Sequence, residues 1–128
     1  MEIRIDEDAL RRSGVRLAVV FGSAARGADR AGSDLDVGLL FDGEADRGPF
    51  DARRQAAADA IHADRPVDLV VLDEADPLLL REVAVDGRPI FEVEPGTFEA
   101  FRLRAIKRYL DTAWIRRIEA DALRERLG

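Results

Sequence analysis

The sequence predicts an α/β domain of the α+β kind, a small sheet flanked by helices, and three observations carry the prediction. Three β-branched, apolar runs of strand length lie at 15–21, 34–41 and 67–72. The stretches between them are rich in helix formers or turn residues. Residues 97–127 contain neither Gly nor Pro and repeat apolar side chains at spacings of three and four. With 128 residues, 47% hydrophobic and 36% charged, the chain fits one domain, 1–128, with a modest core and a heavily charged surface.

The elements follow in order. Residues 6–12 are polar and predict a short helix ending at Ser13-Gly14. The first strand, 15–21, is stopped by Gly22. Gly22-Ser23-Ala24-Ala25-Arg26-Gly27 reads as a turn, an N-cap and a helix that Gly27 soon ends. A loop leads to the second strand, 34–41, and residues 42–49 are a polar turn region. The Ala-rich segment 50–63 predicts a helix ended by Pro66, before the third strand at 67–72. Pro77 opens a further helix through Val85, and Asp86-Gly87 turns into a short strand at 88–92, edge-like because of Pro89.

Thr97 is the expected N-cap of the last helical pattern. Phe98, Phe101, Ala105, Tyr109 and Ala113 trace one apolar line, and Leu103, Ile106, Leu110, Trp114 and Ile118 a second beside it. A single helix over 97–127 would be about 45 Å long, whereas a domain of this size has a radius of gyration near ~14 Å. The helix therefore either breaks near Asp111-Thr112 or projects with apolar surface left for a partner.

Composition excludes several functions. No Cys and one His rule out disulfide scaffolds, Cys zinc sites and thiol catalysis, and leave a Ser-His-Asp triad only His62. A net charge of −6 argues against broad binding to a nucleic-acid backbone. No apolar run is long enough to span a membrane, and the first residues carry no apolar signal core. This balance suits a cytoplasmic protein with a small-molecule, metal or protein partner.

The chemistry gathers at three places. Strand one ends in Gly22-Ser23, strand two opens with Asp34-x-Asp36, and strand three carries Asp68 near its start. Residues two apart in a strand share a face, so Asp34 and Asp36 lie side by side. Neighbouring carboxylates repel unless a cation sits between them, and hard oxygen ligands suit Mg²⁺ or Mn²⁺. Asp68 from a neighbouring strand would complete a site for two metals, able to hold the attacking and leaving oxygens of an in-line phosphoryl displacement. Gly22 lets the backbone approach a phosphate, with the N–H groups that follow, the Ser23 hydroxyl and Arg26 binding its oxygens. Gly-Ser followed by Asp-x-Asp arises by chance in about 1% of chains this size, taking ordinary residue frequencies.

These segments resemble a known family. Val20-Phe21-Gly22-Ser23-Ala24-Ala25-Arg26-Gly27, then Gly32-Ser33-Asp34-Leu35-Asp36-Val37, resembles the signature of the polymerase-β-type nucleotidyltransferases. The fit is closest to the minimal nucleotidyltransferases of the MntA antitoxin type. The likeness extends over Pro66-Val67-Asp68-Leu69-Val70, residues 80–92 and the start of the C-terminal helix. It implies a small mixed sheet with flanking helices and a long C-terminal helix over 97–127 that meets a partner. It also implies metal-binding carboxylates at Asp34, Asp36 and Asp68 and a triphosphate turn at Gly22 and Ser23. The implied activity is transfer of AMP from ATP, with Mg²⁺ or Mn²⁺, to a tyrosine hydroxyl of a HEPN-domain toxin, a ribonuclease, within a hetero-oligomer or with the chain as a homodimer. The rival reading is neutralisation of that partner by binding and occlusion, with vestigial catalysis. A transferase acting on small molecules such as aminoglycosides would need a substrate-binding domain for which the chain has little room.

Other residues read as scaffold. His62 falls at a predicted helix C-terminus, where it caps or meets the dipole. Arg53 and Arg54 read as a solvated helix face, with reach to a nucleotide as the other reading of either. Tyr109 reads as packing, and Trp114 as core or subunit interface. The basic residues of 102–117 are interspersed with acids, which favours a protein partner over RNA. Asp73, Glu74 and Asp76 are alternatives to Asp68, but they follow the strand pattern rather than stand within it.

Overall fold

The computed structural model describes residues 2–25, 27, 33–43 and 49–127. In chain order the elements are β1 (Ile3–Ile5), α1 (Glu7–Arg12), β2 (Val15–Phe21), β3 (Leu35–Phe41), α2 (Phe50–Ala60), β4 (Ile61–Ala63) and β5 (Val67–Val71). A 3-10 turn (Leu72–Glu74), α3 (Pro77–Asp86), β6 (Arg88–Glu92), α4 (Thr97–Asp111) and α5 (Ala113–Leu127) complete it. Four strands form a mixed sheet in the order β5-β3-β2-β6, with β3 and β5 parallel and the other pairs antiparallel. β6 is an edge strand, as Pro89 requires.

The central strands are apolar on both sides because both faces of the sheet are covered. Ala18, Val20, Leu35, Val37 and Leu39 pack with Leu10 of α1 and with Ala57 and Ala60 of α2. Leu17, Val19 and Phe21 face the other way, against Leu80, Val83 and Ala84 of α3 and Phe101 and Ala105 of α4. Strand alternation therefore puts Asp36, between Leu35 and Val37, on the α3 face.

Three local expectations give way. The helix predicted to Ala63 stops at Ala60, and 61–63 pair as β4 with β1, a strand too short for periodicity to reveal. The Asp6 N–H donates to the Ala60 carbonyl at 2.9 Å, locking this small ribbon to the end of α2. Ladder pairing overrides the helix propensity of the Ala-rich run. His62 is consequently an exposed strand residue opposite Arg4, not a helix cap. Gly96, not Thr97, is the N-cap of α4. The Thr97 hydroxyl donates to the Glu94 carbonyl at 2.7 Å, and Glu92 Oε1 accepts from the Phe98 N–H at 2.8 Å.

The C-terminal pattern is helical throughout with one break, at Thr112. The carbonyl of Tyr109, which an unbroken helix would use, accepts instead from the Thr112 hydroxyl and the Arg116 guanidinium. That guanidinium also lies 3.9 Å from the centroid of the Tyr109 ring, with Arg81 of α3 at 5.0 Å. Of the two apolar lines, the one through Phe101 and Ala105 is buried. The other stays largely in solvent: Leu110 is 63% exposed, Trp114 59% and Ile118 58%, and α5 buries no residue. Among the described residues no helix is long and apolar enough to cross a membrane.

Candidate active site

The site lies where β2 ends and β3 and β5 begin. The Leu35 N–H donates to the Pro66 carbonyl at 2.8 Å, pinning the starts of the two parallel strands together. From that anchor the register runs Leu35 to Val67 and Asp36 to Asp68, so the two carboxylates are cross-strand neighbours. On its other side Asp36 pairs with Phe21, the residue before Gly22. Asp34 is exposed just ahead of β3, two residues from Asp36 on the same strand face.

Gly22 adopts φ +75°, in the left-handed region, and a Cβ there would stand 2.6 Å from Asp36 Oδ2. Only glycine lets the chain turn this closely over the carboxylate. Ser23 is half-buried in the following turn, and Ala24 and Ala25 are buried beneath it. The Gly27 N–H donates to the Ala24 carbonyl at 3.2 Å, and Gly27 too has a positive φ, +71°. The helix predicted after Gly22 is therefore a turn, because a left-handed glycine at each end leaves room for nothing longer. Anion binding here would rest on the N–H groups of a turn rather than on a helix dipole. Arg26, expected to reach the same phosphates, lies outside the described residues.

Electrostatics single out Asp36. Burial is the largest cause that pushes its carboxyl above the ordinary value, followed by the charges of Asp68, Asp34 and Glu82, all acting in the same direction. Glu82, on α3, is a residue that sequence reasoning missed. Its signal is the Val83-Ala84 face of α3, which packs on β2 and carries its neighbour toward the strand ends. Among the described residues no three His, Cys, Asp or Glu side chains stand close enough together to hold a metal ion. The donor chemistry nonetheless fits a hard divalent cation: Asp36 and Asp68 are carboxylates on paired strand positions, and Asp36 is destabilised by acids that a cation would neutralise.

The alternative acids do not compete. Asp73 Oδ1 accepts from the Phe41 N–H at 3.1 Å, which places it at the opposite end of β3. Asp76 is the N-cap of α3, accepting from the Leu79 N–H at 2.9 Å. Arg53 is not a solvated residue. It is 5% exposed, forms an ion pair with Asp42 at 2.7 Å, and donates to the carbonyls of Ser13, Gly14 and Asp42.

A left-handed glycine turn pressed on an Asp-x-Asp strand, at the open end of a mixed sheet, is the layout of a nucleotidyltransferase. The chain belongs to the polymerase beta nucleotidyltransferase family, whose pattern it matches over residues 5–95. No curated protein matches it significantly. Among solved structures it is similar to a toxin–antitoxin crystallised with AMP-PNP, at 27% identity and TM-score 0.66, over 91% of this chain and 94% of that one. A mutant of the MntA-HpeT toxin–antitoxin is similar at 25% identity and TM-score 0.63, over 91% and 93%. A tri-AMPylated Shewanella oneidensis HEPN toxin in complex with MNT antitoxin shares the fold at 24% identity and TM-score 0.61, over 91% of each chain.

Proposed function

We propose that this chain is a Mg²⁺-dependent adenylyltransferase, with Mn²⁺ as the alternative ion, that moves AMP from ATP to a tyrosine hydroxyl of a HEPN-domain toxin and so acts as its antitoxin in the cytoplasm. One observation carries the reading: the Gly22 backbone lies against Asp36, and Asp36 is in register with Asp68. A phosphate-approaching turn and a carboxylate pair are thereby held at one spot. Similar structures add weight, one containing AMP-PNP and another an AMPylated HEPN toxin.

In this reading Gly22, Ser23 and Arg26 hold the triphosphate, while Asp34, Asp36 and Asp68 hold the divalent ion. The bound ion would neutralise charge building up on the phosphoryl oxygens. The tyrosine oxygen attacks the α-phosphorus and a P–O bond forms as the bond to the β-phosphate bridge breaks. Pyrophosphate leaves, and the hydroxyl proton passes to Asp68. No covalent enzyme intermediate is required, since positioning and charge neutralisation lower the barrier. The acidic chain acts on a protein rather than on nucleic acid, within a hetero-oligomer or as a homodimer.

Labelled ATP, Mg²⁺ and the HEPN-domain partner test this directly. Label on a partner tyrosine is the expected result. A stable complex without label would overturn catalysis and leave occlusion, the reading that the exposed Trp114 and Ile118 of α5 favour.

A further inference from the structure

We infer that Tyr109 is a self-modification site: an ATP-loaded copy of this chain transfers AMP to the Tyr109 hydroxyl, and Arg81 and Arg116 hold the phosphate so added. The inference rests on the transferase reading above. Tyr109 is the chain's one tyrosine, so the side chain that the activity requires occurs here once. Among the described residues nothing hydrogen-bonds its hydroxyl, and no buried side-chain polar atom is left without a partner, so the hydroxyl stands in solvent. A nucleophile in that state loses no protein contact when it reacts.

Its surroundings suit an added phosphate. The Arg116 guanidinium lies 3.9 Å from the ring centroid and that of Arg81 5.0 Å. Among the described residues neither pairs with a carboxylate, in a chain whose net charge is −6. Two such guanidinium groups beside one hydroxyl can hold a phosphodiester, to which arginine donates charge-assisted hydrogen bonds. A cavity of about 370 Å³ opens next to them and is lined in part by Arg116 and Thr112. Pro77, Leu78 and Ile115 give it apolar walls for the adenine ring, and Asp76 and Glu119 offer carboxylates to the adenine amino group or the ribose hydroxyls.

The step is the one proposed for the partner. The Tyr109 oxygen attacks the α-phosphorus, the bond to the β-phosphate bridge breaks, pyrophosphate leaves, and the hydroxyl proton passes to Asp68 of the copy that holds ATP. It runs between copies. Glu82 of α3 is turned toward Asp36, where its charge acts, while Arg81 before it lies over Tyr109. Successive helix residues point about 100° apart, so Tyr109 lies round the side of α3 from its own metal site. The product also bears on the break at Thr112. Arg116 donates to the Thr112 hydroxyl and the Tyr109 carbonyl, and the new phosphate competes with both for it. Modification thus loosens the joint beyond which Trp114 and Ile118 are exposed.

Purified protein given Mg²⁺ and ATP labelled at the α-phosphate, without the HEPN-domain partner, should take up one AMP on Tyr109, read by intact mass and peptide mapping. Tyr109→Phe keeps the ring between the two arginines and should take up none, while labelling the partner as wild type does. Mixed with Asp36→Asn, it should label that inactive protein on Tyr109, because one supplies the site and the other the hydroxyl. Arg81→Gln should lower self-labelling about tenfold, the loss of one charge-assisted hydrogen bond. Wild type that labels the partner but not Tyr109 overturns the inference and leaves the transferase reading standing. Undiminished self-labelling of Tyr109→Phe overturns it too, by putting the acceptor elsewhere. An Asp36→Asn protein left unlabelled in the mixture overturns transfer between copies, and an unchanged rate in Arg81→Gln overturns the phosphate-holding role. Wild type that labels neither itself nor the partner is a different failure, because it removes the transferase reading.

Discussion

The two ends of β3 pose the same problem and solve it differently. At the C-terminal end desolvation pushes the Asp73 carboxyl up, but the Phe41 N–H, its own backbone N–H and the Arg53 charge pull it back. Arg53 joins that end together by its ion pair to Asp42 and its position 4.5 Å from the centroid of the Phe41 ring. At the N-terminal end burial also pushes Asp36 up, but there Asp68, Asp34 and Glu82 push with it. One end is an acid site with its cation supplied by the fold. The other gathers the charges of Asp68, Asp34 and Glu82 around the Asp36 carboxylate, where the proposed reading puts a divalent ion.

The largest expected effect breaks that contrast at its open end. Asp36→Asn keeps the shape of the side chain and removes the charge, so AMP transfer should fall on the order of 10³-fold. Its circular dichroism spectrum should match wild type, and its Tm should be equal or higher, because a repelled charge has gone. Transfer retained by this variant would show that the acids of β3 are not the metal ligands.

Next comes the closed end. Arg53→Met should destabilise the protein by about 3–5 kcal/mol, the usual cost of breaking a buried ion pair by removing one partner. Urea unfolding measures it. The Asp42 carboxylate and the carbonyls of Ser13, Gly14 and Asp42 would each lose the hydrogen bond that the guanidinium donates. A loss below ~1 kcal/mol would mean that water replaces the guanidinium without penalty.

How legible each end was follows from how each is built. Asp34 and Asp36 stand two apart in an apolar strand pattern, so a shared face could be expected from spacing, and Asp68 could be assigned to a strand of its own from the apolar run around it. The register between β3 and β5 could not, since it depends on the Leu35-to-Pro66 hydrogen bond across a long sequence separation. Arg53 was read as a surface residue because its partners come from residues 13, 14 and 42, and no local pattern announces a guanidinium that reaches across loops. β1 and β4 were missed for a related reason: a three-residue strand has no period to detect. The Thr112 break was one of two outcomes that the length of the pattern allowed, and the Arg116 and Tyr109 contacts that sustain it had no sequence signal.

A smaller effect tests the glycine turn. Gly22→Ala should cost about 1–3 kcal/mol, combining the left-handed backbone with contact on Asp36. Gly27→Ala has a similar φ, +71°, but no atom within 4 Å of the added Cβ, and so measures the backbone part alone. The difference in unfolding free energy between the two isolates the Asp36 contact. Equal losses would mean that the turn can move off the carboxylate, and the close approach that supports phosphate binding would be lost with it.

The smallest effect is the dependence of stability on pH and Mg²⁺, and it separates the two acids that burial treats alike. A carboxyl raised in the folded state contributes stability that is fully present below its unfolded value and is lost as pH rises through the folded one. Asp36 is raised, so metal-free wild type should lose stability relative to Asp36→Asn as pH climbs from about 3 through the carboxylate range to 7. Asp73 is raised too, so Asp73→Asn should open the same kind of gap, and pH alone does not distinguish the ends of β3. Mg²⁺ does. At ten times its Kd it should stabilise wild type by about 1.4 kcal/mol at pH 7. Asp73→Asn should respond equally, because its end already has Arg53, while Asp36→Asn should not respond. Thermal melts of all three proteins, stripped with EDTA and then titrated with MgCl₂, measure this. Equal responses in all three would place the ion elsewhere and make the crowding of Asp36 a matter of burial alone.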